Sequence, residues 1–520
     1  MLFCSPSLAD SSISTTPETI CNYTRFPNFC KSSLPSNKPG TIHDFAKISL
    51  QQSFSHAQKF LGLVRQNSKS TPSAMYNSSL LALEDCSVLA QQNIDFLSNI
   101  QETLNSSNDV LQTNQVDDLQ TLLSATLTNI ETCLDGLMLA SDSSIKNALL
   151  PSISNGTMHY SVALALFTHG WPRGSKKGRF LTERNRVFSY LQGGGRRGLQ
   201  LIMSRKDELV YERVGRRRLL QASNSTGNVT VSQFVVVNPN GAGNFTTITD
   251  AVAAAPNNSI ASNGYFVIYV VAGVYNDVVD GWTTFNSATF IVKGQGFVAV
   301  NLTFQNTAGA IKHQAVAVRN GADLSTFYKC SFEGYQDTLY THSLRQFYRE
   351  CDIYGTIDYI FGNAAVVLQN CNIFSRLPMN GQFNALTAQG RTDPNQNTGT
   401  SIQNCTIKAS DDLASSNGTT KTYLGRPWKE YSRTVVMQSF IDSLVDPAGW
   451  AAWSGDFALS TLYYAEFNNT GPGSNTTNRV TWPGYHLINE TDAVSFTVSQ
   501  FVVGDFWLPA TGVPYLGGLQ

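Results

Sequence analysis

Two aspartates occupy the same phase of a short repeat. The segments YKCSF around Cys330, YRECDI around Cys351, LQNCNI around Cys371 and IQNCTI around Cys405 recur, the first three at intervals of 21 and 20 residues. Asp337 follows Cys330 by seven positions, and Asp358 follows Cys351 by the same seven. A period near twenty, built from short strands and turns, is the signature of a solenoid. With no helical pattern between the strands, the natural architecture is a parallel β-helix. Residues one period apart then stand on neighbouring strands separated by about 4.8 Å, so the two carboxylates should stack on consecutive coils. Gln336 adjoins Asp337, and Gln314 lies 23 positions before Asp337, about one coil earlier. The spacing predicts a ladder of amide, carboxylate and carboxylate.

Like charges this close cannot both ionise cheaply, so one pKa rises and the pair shares a proton near neutral pH. That arrangement supplies one carboxylate nucleophile and one general acid. Aspartate is also common in solenoid turns, but the equivalent position after Cys371 is Pro378. Matched carboxylates in two coils alone point to a site rather than to a turn preference. His313 and His342 are too few and too poorly placed for a metal-ligand cluster and read as hydrogen-bonded structural residues. No G-x-S-x-G elbow occurs, which disfavours a serine esterase.

The elements that must carry these residues begin at Phe234, where FVVV, FVIYVV, ATFIVKG, FVAVNLTF and AVAVR alternate with Asn- and Gly-rich turns. The longer interval between Cys371 and Cys405 holds RLPMNGQFNALTAQGRTDPNQNTG and reads as a loop projecting from the stack. The first part of the chain differs. Leu83, Cys86, Ala90, Ile94, Leu97 and Ile100, then Leu119, Leu123, Leu127, Ile130, Cys133 and Leu137, recur at helical spacing, interrupted by Asn105 to Asp109. Two amphipathic helices with a short connection imply an α-hairpin within a bundle. Cys21 and Cys30 bracket a segment easily closed by a disulfide, and Cys86 with Cys133 would staple the two helices, although four cysteines permit three pairings. From Trp171 to Gln221 the texture turns to Gly, Arg and Lys, which reads as a linker. Within it the string Arg217-Arg218-Leu219-Leu220 reads as a processing signal for a protease.

The 520 residues carry 14% charged and 42% hydrophobic residues and a formal net charge of -1. That balance fits a packed globular protein and argues against nucleic acid as a partner. Asn-x-Ser/Thr acceptors at Asn22, Asn77, Asn105, Asn155, Asn224, Asn228, Asn301, Asn417, Asn468, Asn475 and Asn489, together with paired cysteines, favour a secretory route. The opening MLFCSPSLADSS has neither a basic n-region nor an apolar h-region, so the start is expected to be truncated or already processed. No apolar run of about 18 residues suggests a membrane span.

HQAVAVR, YQDTLY, the run Asp358-Tyr-Ile-Phe-Gly-Asn and YLGRPWKEYSRTV resemble motifs of the pectin methylesterases, with GNFTTITDAV and DPAGW in support. The resemblance runs from about Phe234 to the C-terminus. The first half resembles the four-helix pectin methylesterase inhibitors, chiefly in its four-cysteine pattern. The resemblance implies an all-α four-helix bundle over 1–168, a linker with a processing site over 169–222, and a right-handed parallel β-helix esterase over 223–520. It implies Asp358 as nucleophile and Asp337 as acid, then base. Gln314 and Gln336 would donate to the oxyanion, Arg426 would hold Asp358 ionised, and Trp428 and Thr284 would contact the sugar. Two amide donors suit a developing negative oxygen, and an indole offers a flat platform to a pyranose. The resemblance further implies a Cys351–Cys371 disulfide, with Cys330 and Cys405 as small buried residues, and neither metal nor cofactor. The partners implied are methyl-esterified pectin and the helical region itself, pairing with the esterase within or between chains.

Two other readings stand beside this one. A pectate lyase or polygalacturonase would share the β-helix, but a lyase should carry a calcium-binding carboxylate cluster and a basic catalyst. The chain would otherwise act as an inhibitor or pectin-binding protein, a reading favoured by an apparent shortfall of about thirty residues where Gly273-Val274-Tyr275 runs straight into Asn276. Losing a coil exposes strand edges unless the stack closes on itself.

Overall fold

The computed structural model describes residues 14–35, 39–70, 78–107, 110–140, 142–172, 231–256, 263–271, 283–416 and 418–520. They fall into two compact units, one of Met1–Arg173, Val279–Phe506 and Tyr515–Gln520, the other of Gly174–Val278 and Trp507–Pro514. The basic run with Arg217, Arg218, Leu219 and Leu220, and the junction 272–282, lie outside the described residues. No described helix is long and apolar enough to cross a membrane.

In the larger unit, α1 (Ile42–Ser70), α2 (Ser78–Ser106), α3 (Thr113–Leu139) and α4 (Ser143–Gly170) pack in a closed ring, each against two neighbours. The expected interruption begins inside the last turn of α2, at Asn105 and Ser106, and its last two residues, Asn108 and Asp109, lie outside the described residues. Of the periodic apolar residues all are buried except Ile94, which is half-buried. Both expected disulfides of this region form, Cys21–Cys30 ahead of α1 and Cys86–Cys133 between α2 and α3. Gln112 and Gln115 cap α3 reciprocally, each side chain bonding the other's backbone N–H. One feature departs from a simple amphipathic helix: α3 is buried on its polar side too, through Thr121, Ser124, Thr128 and Thr132.

The same unit contains three parallel sheets of eight, six and six strands, and successive coils contribute one strand to each. Registered columns fill the interior. Phe304, Phe332, Ile353, Ile373, Ile407 and Ile441 stack in one sheet, and Phe327, Tyr348, Leu368, Ile402 and Val436 in another. The corner between these sheets turns through one left-handed residue per coil, at Asn301, Lys329, Glu350, Asn370, Asn404, Gln438 and Asn468, with φ between 49° and 57°. Asparagine tolerates that conformation best. The segment between Cys371 and Cys405 is not a projecting loop throughout. Asn384–Gln389 within it is a fully buried strand pairing with Ile360–Gly362 and Thr422–Gly425. Its period-two signal is weak because both of its faces are covered.

In the smaller unit Val231–Val237 and Tyr265–Val270 form a two-stranded parallel sheet. The helix Ile248–Ala253 between them starts at Thr247, whose hydroxyl accepts from the Asp250 N–H at 3.1 Å. Val235, Val237 and Ala251 make its core.

The Cys351–Cys371 disulfide is corrected: Cys330, Cys351, Cys371 and Cys405 are all buried free thiols. They occupy one column on four successive coils, and the thiols find acceptors in backbone carbonyls. Cys351 donates to Phe327 O at 3.4 Å, Cys371 to Tyr348 O at 3.6 Å and Cys405 to Leu368 O at 3.4 Å. Each sulfur is thus satisfied as a buried thiol without a covalent partner. Alkylation after denaturation without reductant, followed by peptide mapping, should label all four. A labelled Cys330 and Cys405 beside an unlabelled Cys351 and Cys371 would restore the disulfide.

Candidate active site

The two coils that carry the aspartates share a tight corner, Gly334-Tyr-Gln-Asp337-Thr and Gly355-Thr-Ile-Asp358-Tyr. Both glycines are required by close approach. A Cβ on Gly355 would lie 2.2 Å from Tyr359 Cβ, and one on Gly334 would lie 2.7 Å from Thr338 Oγ1. Asp337 and Asp358 both sit at positive φ, 63° and 53°, and the Asp337 N–H donates to Ile357 O at 3.0 Å. The aspartates therefore stand on consecutive coils, as their spacing predicts. The amide ladder differs by one residue. Gln314 pairs with Gln336, not with Asp337, because the register slips where the N–H groups of Ala317 and Val318 both reach Thr338 O. Two columns result side by side, one of amides and one of carboxylates.

Both carboxylates are nearly inaccessible, 4% exposed for Asp337 and 6% for Asp358. Burial, then repulsion from Asp358, pushes Asp337 well above the usual carboxylate range. Burial pushes Asp358 up as well, but Arg426 counters it. Its Nε donates to Oδ1 at 2.8 Å and its Nη2 to Oδ2 at 2.7 Å. Such a bidentate clamp favours the ionised form, so Asp358 is raised less than Asp337, and a single proton shared by the pair rests on Asp337. Arg426 is fixed in turn: its N–H donates to Thr387 O at 2.9 Å, and its guanidinium lies 4.3 Å from the centre of the Trp453 ring.

Thr284 does not stand free. Its hydroxyl donates to Gln314 Oε1 at 3.3 Å, which turns that amide's N–H groups outward as donors. Arg376 ties down the corner before Gln336, donating to Gly334 O at 3.0 Å and to the Tyr335 hydroxyl at 2.9 Å. Trp428 stands edge-on to Phe361 and Tyr340, with ring centres 6.0 and 6.5 Å away. Tyr340 and Phe361 stack at 4.2 Å, and Phe285 meets Tyr340 at 6.5 Å. Sequence reasoning missed this aromatic floor, although Tyr340 and Phe361 each follow their aspartate by three positions. Trp453 and Arg376 had no such signal, since they arrive from other coils. His342 is a buried structural residue sharing a hydrogen bond with Thr132 Oγ1 at 2.9 Å.

That bond crosses from the β-helix to the bundle, and it has many companions. The polar stripe of α3 meets the coil ends: Asn397 Nδ2 donates to Thr121 Oγ1 at 2.9 Å, Gln396 Nε2 to Ser124 O at 2.8 Å and Asn363 Nδ2 to Thr128 Oγ1 at 2.9 Å. Lys429, next to Trp428, bonds Asp135 at 2.7 Å and approaches Glu131 at 3.6 Å. Arg345 bonds Asp118 at 2.7 Å, and Arg25 pairs with Glu430. Phe285, Tyr340, Phe361 and Trp428 belong to the same apolar cluster as the bundle core. The aromatic floor is covered by the helices.

A pair of stacked aspartates, one clamped by arginine, beside two amides and an aromatic floor on a parallel β-helix defines a carboxylic ester hydrolase of the aspartyl type. The family model "Pectinesterase" matches residues 276–505, and "Plant invertase/pectin methylesterase inhibitor" matches 15–166. A probable pectinesterase/pectinesterase inhibitor of Arabidopsis thaliana is 52% identical over 97% of this chain and 95% of its own length. Pectinesterase 2 of Citrus sinensis is 44% identical over 99% and 97%. The solved pectin methylesterase from carrot is 50% identical, covering 57% of this chain and 99% of its own, with a TM-score of 0.53. This chain belongs to the pectinesterases that carry an inhibitor-like helical region. The two alignments run over 547 and 551 residues, so these relatives hold at least 27 positions with no counterpart here. The esterase match begins one residue after Tyr275.

The cover should loosen as pH rises. Burial lifts Asp85 of α2, which bonds Thr283 at 2.6 Å, to about 6, against the opposing pull of Arg319 and Lys293 and with the aid of Glu84. Burial likewise raises Glu131 and Asp135 beside Lys429. A carboxyl with a raised folded-state pKa contributes its stability in full below its ordinary value and loses it as pH climbs through the folded value. The Tm of the full chain should therefore fall between pH 5 and pH 7, and Asp85→Asn should flatten that slope. A Tm that rises over this interval in both proteins would contradict the assignment.

Proposed function

We propose that this chain hydrolyses the C6 methyl esters of pectin, releasing methanol and leaving free galacturonate carboxylates. The observation that carries this reading is the Arg426 clamp on Asp358 beside a buried Asp337. The Asp358 carboxylate attacks the ester carbon, and the negative charge that develops on the carbonyl oxygen is met by the side-chain amides of Gln314 and Gln336. Asp337 gives its proton to the departing methanol, leaving an acyl-enzyme on Asp358. Water then attacks that acyl carbon while Asp337 takes its proton back. Asp358 and the free acid are released. Thr284 orients Gln314, and Trp428 with Tyr340 and Phe361 provides the surface for the pyranose rings.

The helical region acts as a built-in inhibitor in this reading, since its α3 stripe lies over the aromatic floor. A protease acting after the Arg217-Arg218-Leu219-Leu220 string would allow it to leave. Export to the cell wall is supported by the acceptor asparagines Asn22, Asn105, Asn155, Asn301, Asn468, Asn475 and Asn489, all of which are exposed.

Methanol release from highly esterified pectin tests the roles, with the chain cut in the linker. Asp358→Asn should abolish turnover and Asp337→Asn should remove most of it, while Tm changes little. Gln314→Ala should lower kcat by about 10² to 10³ with a far smaller change in KM. Near-normal rates in either aspartate variant would sink the mechanism, and equal losses in kcat and binding would make Gln314 a structural amide. N-terminal sequencing of secreted material should find a start close to Leu220. An active product beginning well upstream would remove the inhibitory role.

A further inference from the structure

The first strand of each β-helix sheet is an edge. Among the described residues, Phe290–Val292, Val298–Val300 and Thr303–Gln305 each stand at one end of their sheet and pair on one side alone. The strands that precede them in the chain, Val231–Val237 and Tyr265–Val270, pair with each other instead. An open edge offers unpaired N–H and C=O groups to another strand, and proteins protect it with charge, proline, a bulge or a cover. None of the residues in these three strands is charged or proline. Ile291 is 37% exposed, and Thr303 and Gln305 are exposed as well. Without a cover this end of the stack is open to pairing with a second copy of the chain.

Asn301 joins two of these edges, linking Val298–Val300 to Thr303–Gln305 at a φ of 56°. It is exposed, and its side-chain amide has no hydrogen-bond partner among the described residues. Of the left-handed residues that turn this corner, only the first and the last, Asn301 and Asn468, combine an exposed side chain with an Asn-x-Thr acceptor. Asn404, in the middle of the column, also has a threonine two positions on, but it is half-buried and its Nδ2 donates to Asn370 Oδ1 at 3.0 Å. At the last coil of the corner, Phe467 pairs with Met437 and Thr470 with Phe440, which is 42% exposed. We infer that Asn301 and Asn468 carry N-linked glycans that cap the two ends of this corner and keep a second copy from pairing with the strands that meet there. In the transfer, Asn Nδ2 bonds C1 of the first sugar, the bond from that carbon to a lipid-linked diphosphate breaks, and one amide proton passes to a base of the transferase. The donor is the oligosaccharide diphospholipid of the secretory route. A bulky, hydrated oligosaccharide fixed at a corner shields both of the strands that it joins. The internal coils, whose strands are paired on both sides, have no need of one.

Sedimentation of the full chain, secreted from a eukaryotic host that attaches oligomannose, tests this, with glycan occupancy read by peptide mapping. Asn301 and Asn468 should be occupied, and the wild type should run as a monomer at micromolar concentration. Trimming the folded protein with an endoglycosidase that leaves a single sugar should at least double its weight-average mass and slow amide exchange at Thr303–Gln305. Thr303→Ala removes the acceptor yet keeps Asn301 at its turn, and it should associate in the same way. Adding Gln305→Lys should return that variant to the monomer by placing charge on the edge. Asn155→Gln, which removes an acceptor on α4 of the helical region, should stay monomeric. A bare Asn301, a trimmed chain that remains monomeric, or equal association by Asn155→Gln would overturn the cap. No substrate enters these measurements, so their failure leaves the esterase reading untouched.

Discussion

The step between successive coils is the constraint on which the rest depends. Parallel backbone ladders bring residues 20 or 21 positions apart to the same corner, and the chemistry follows from what stands at those corners. Gly334 and Gly355 permit the same tight turn twice. Asp337 and Asp358 therefore face the same way, close enough that burial and mutual repulsion hold Asp337 protonated. The one-residue slip beside Thr338 sets the amides in a column next to the carboxylates rather than in line with them. A different step would separate the two carboxylates, and no single side chain could restore the pair.

The second structural theme is a helix with two buried faces. The apolar face of α3 completes the bundle, and its hydroxyl face satisfies amides of the β-helix. Small uncharged side chains permit close approach, while Glu131 and Asp135 at the far end meet Lys429. Such an interface holds through many modest polar bonds, and buried charge pairs add specificity more than strength.

Much of the esterase was legible because a repeat converts sequence spacing into spatial proximity. The positions of Asp337 and Asp358 and the shared column of the four later cysteines follow from period and phase, and both disulfides of the helical region from cysteine order and helix pairing, whereas the expected Cys351–Cys371 bond is replaced by free thiols. The strand Asn384–Gln389 was hidden by its burial on both faces and by the insertions on either side of it. The hydroxyl stripe of α3 reads as a solvent face until its partner surface is known. Arg376 and Trp453 act across coils far apart in the chain, where spacing carries no information.

The division of one proton between two stacked aspartates is the centre of this account. Carbon-13 NMR of Asp-labelled protein, with Asp337→Asn and Asp358→Asn to assign the carboxyl signals, measures it directly. At pH 6 the Asp337 carboxyl should give the shift of a protonated acid and Asp358 that of a carboxylate, and Arg426→Gln should move Asp358 toward the protonated form. Two ionised carboxyls at that pH, or the reverse assignment of the proton, would contradict it.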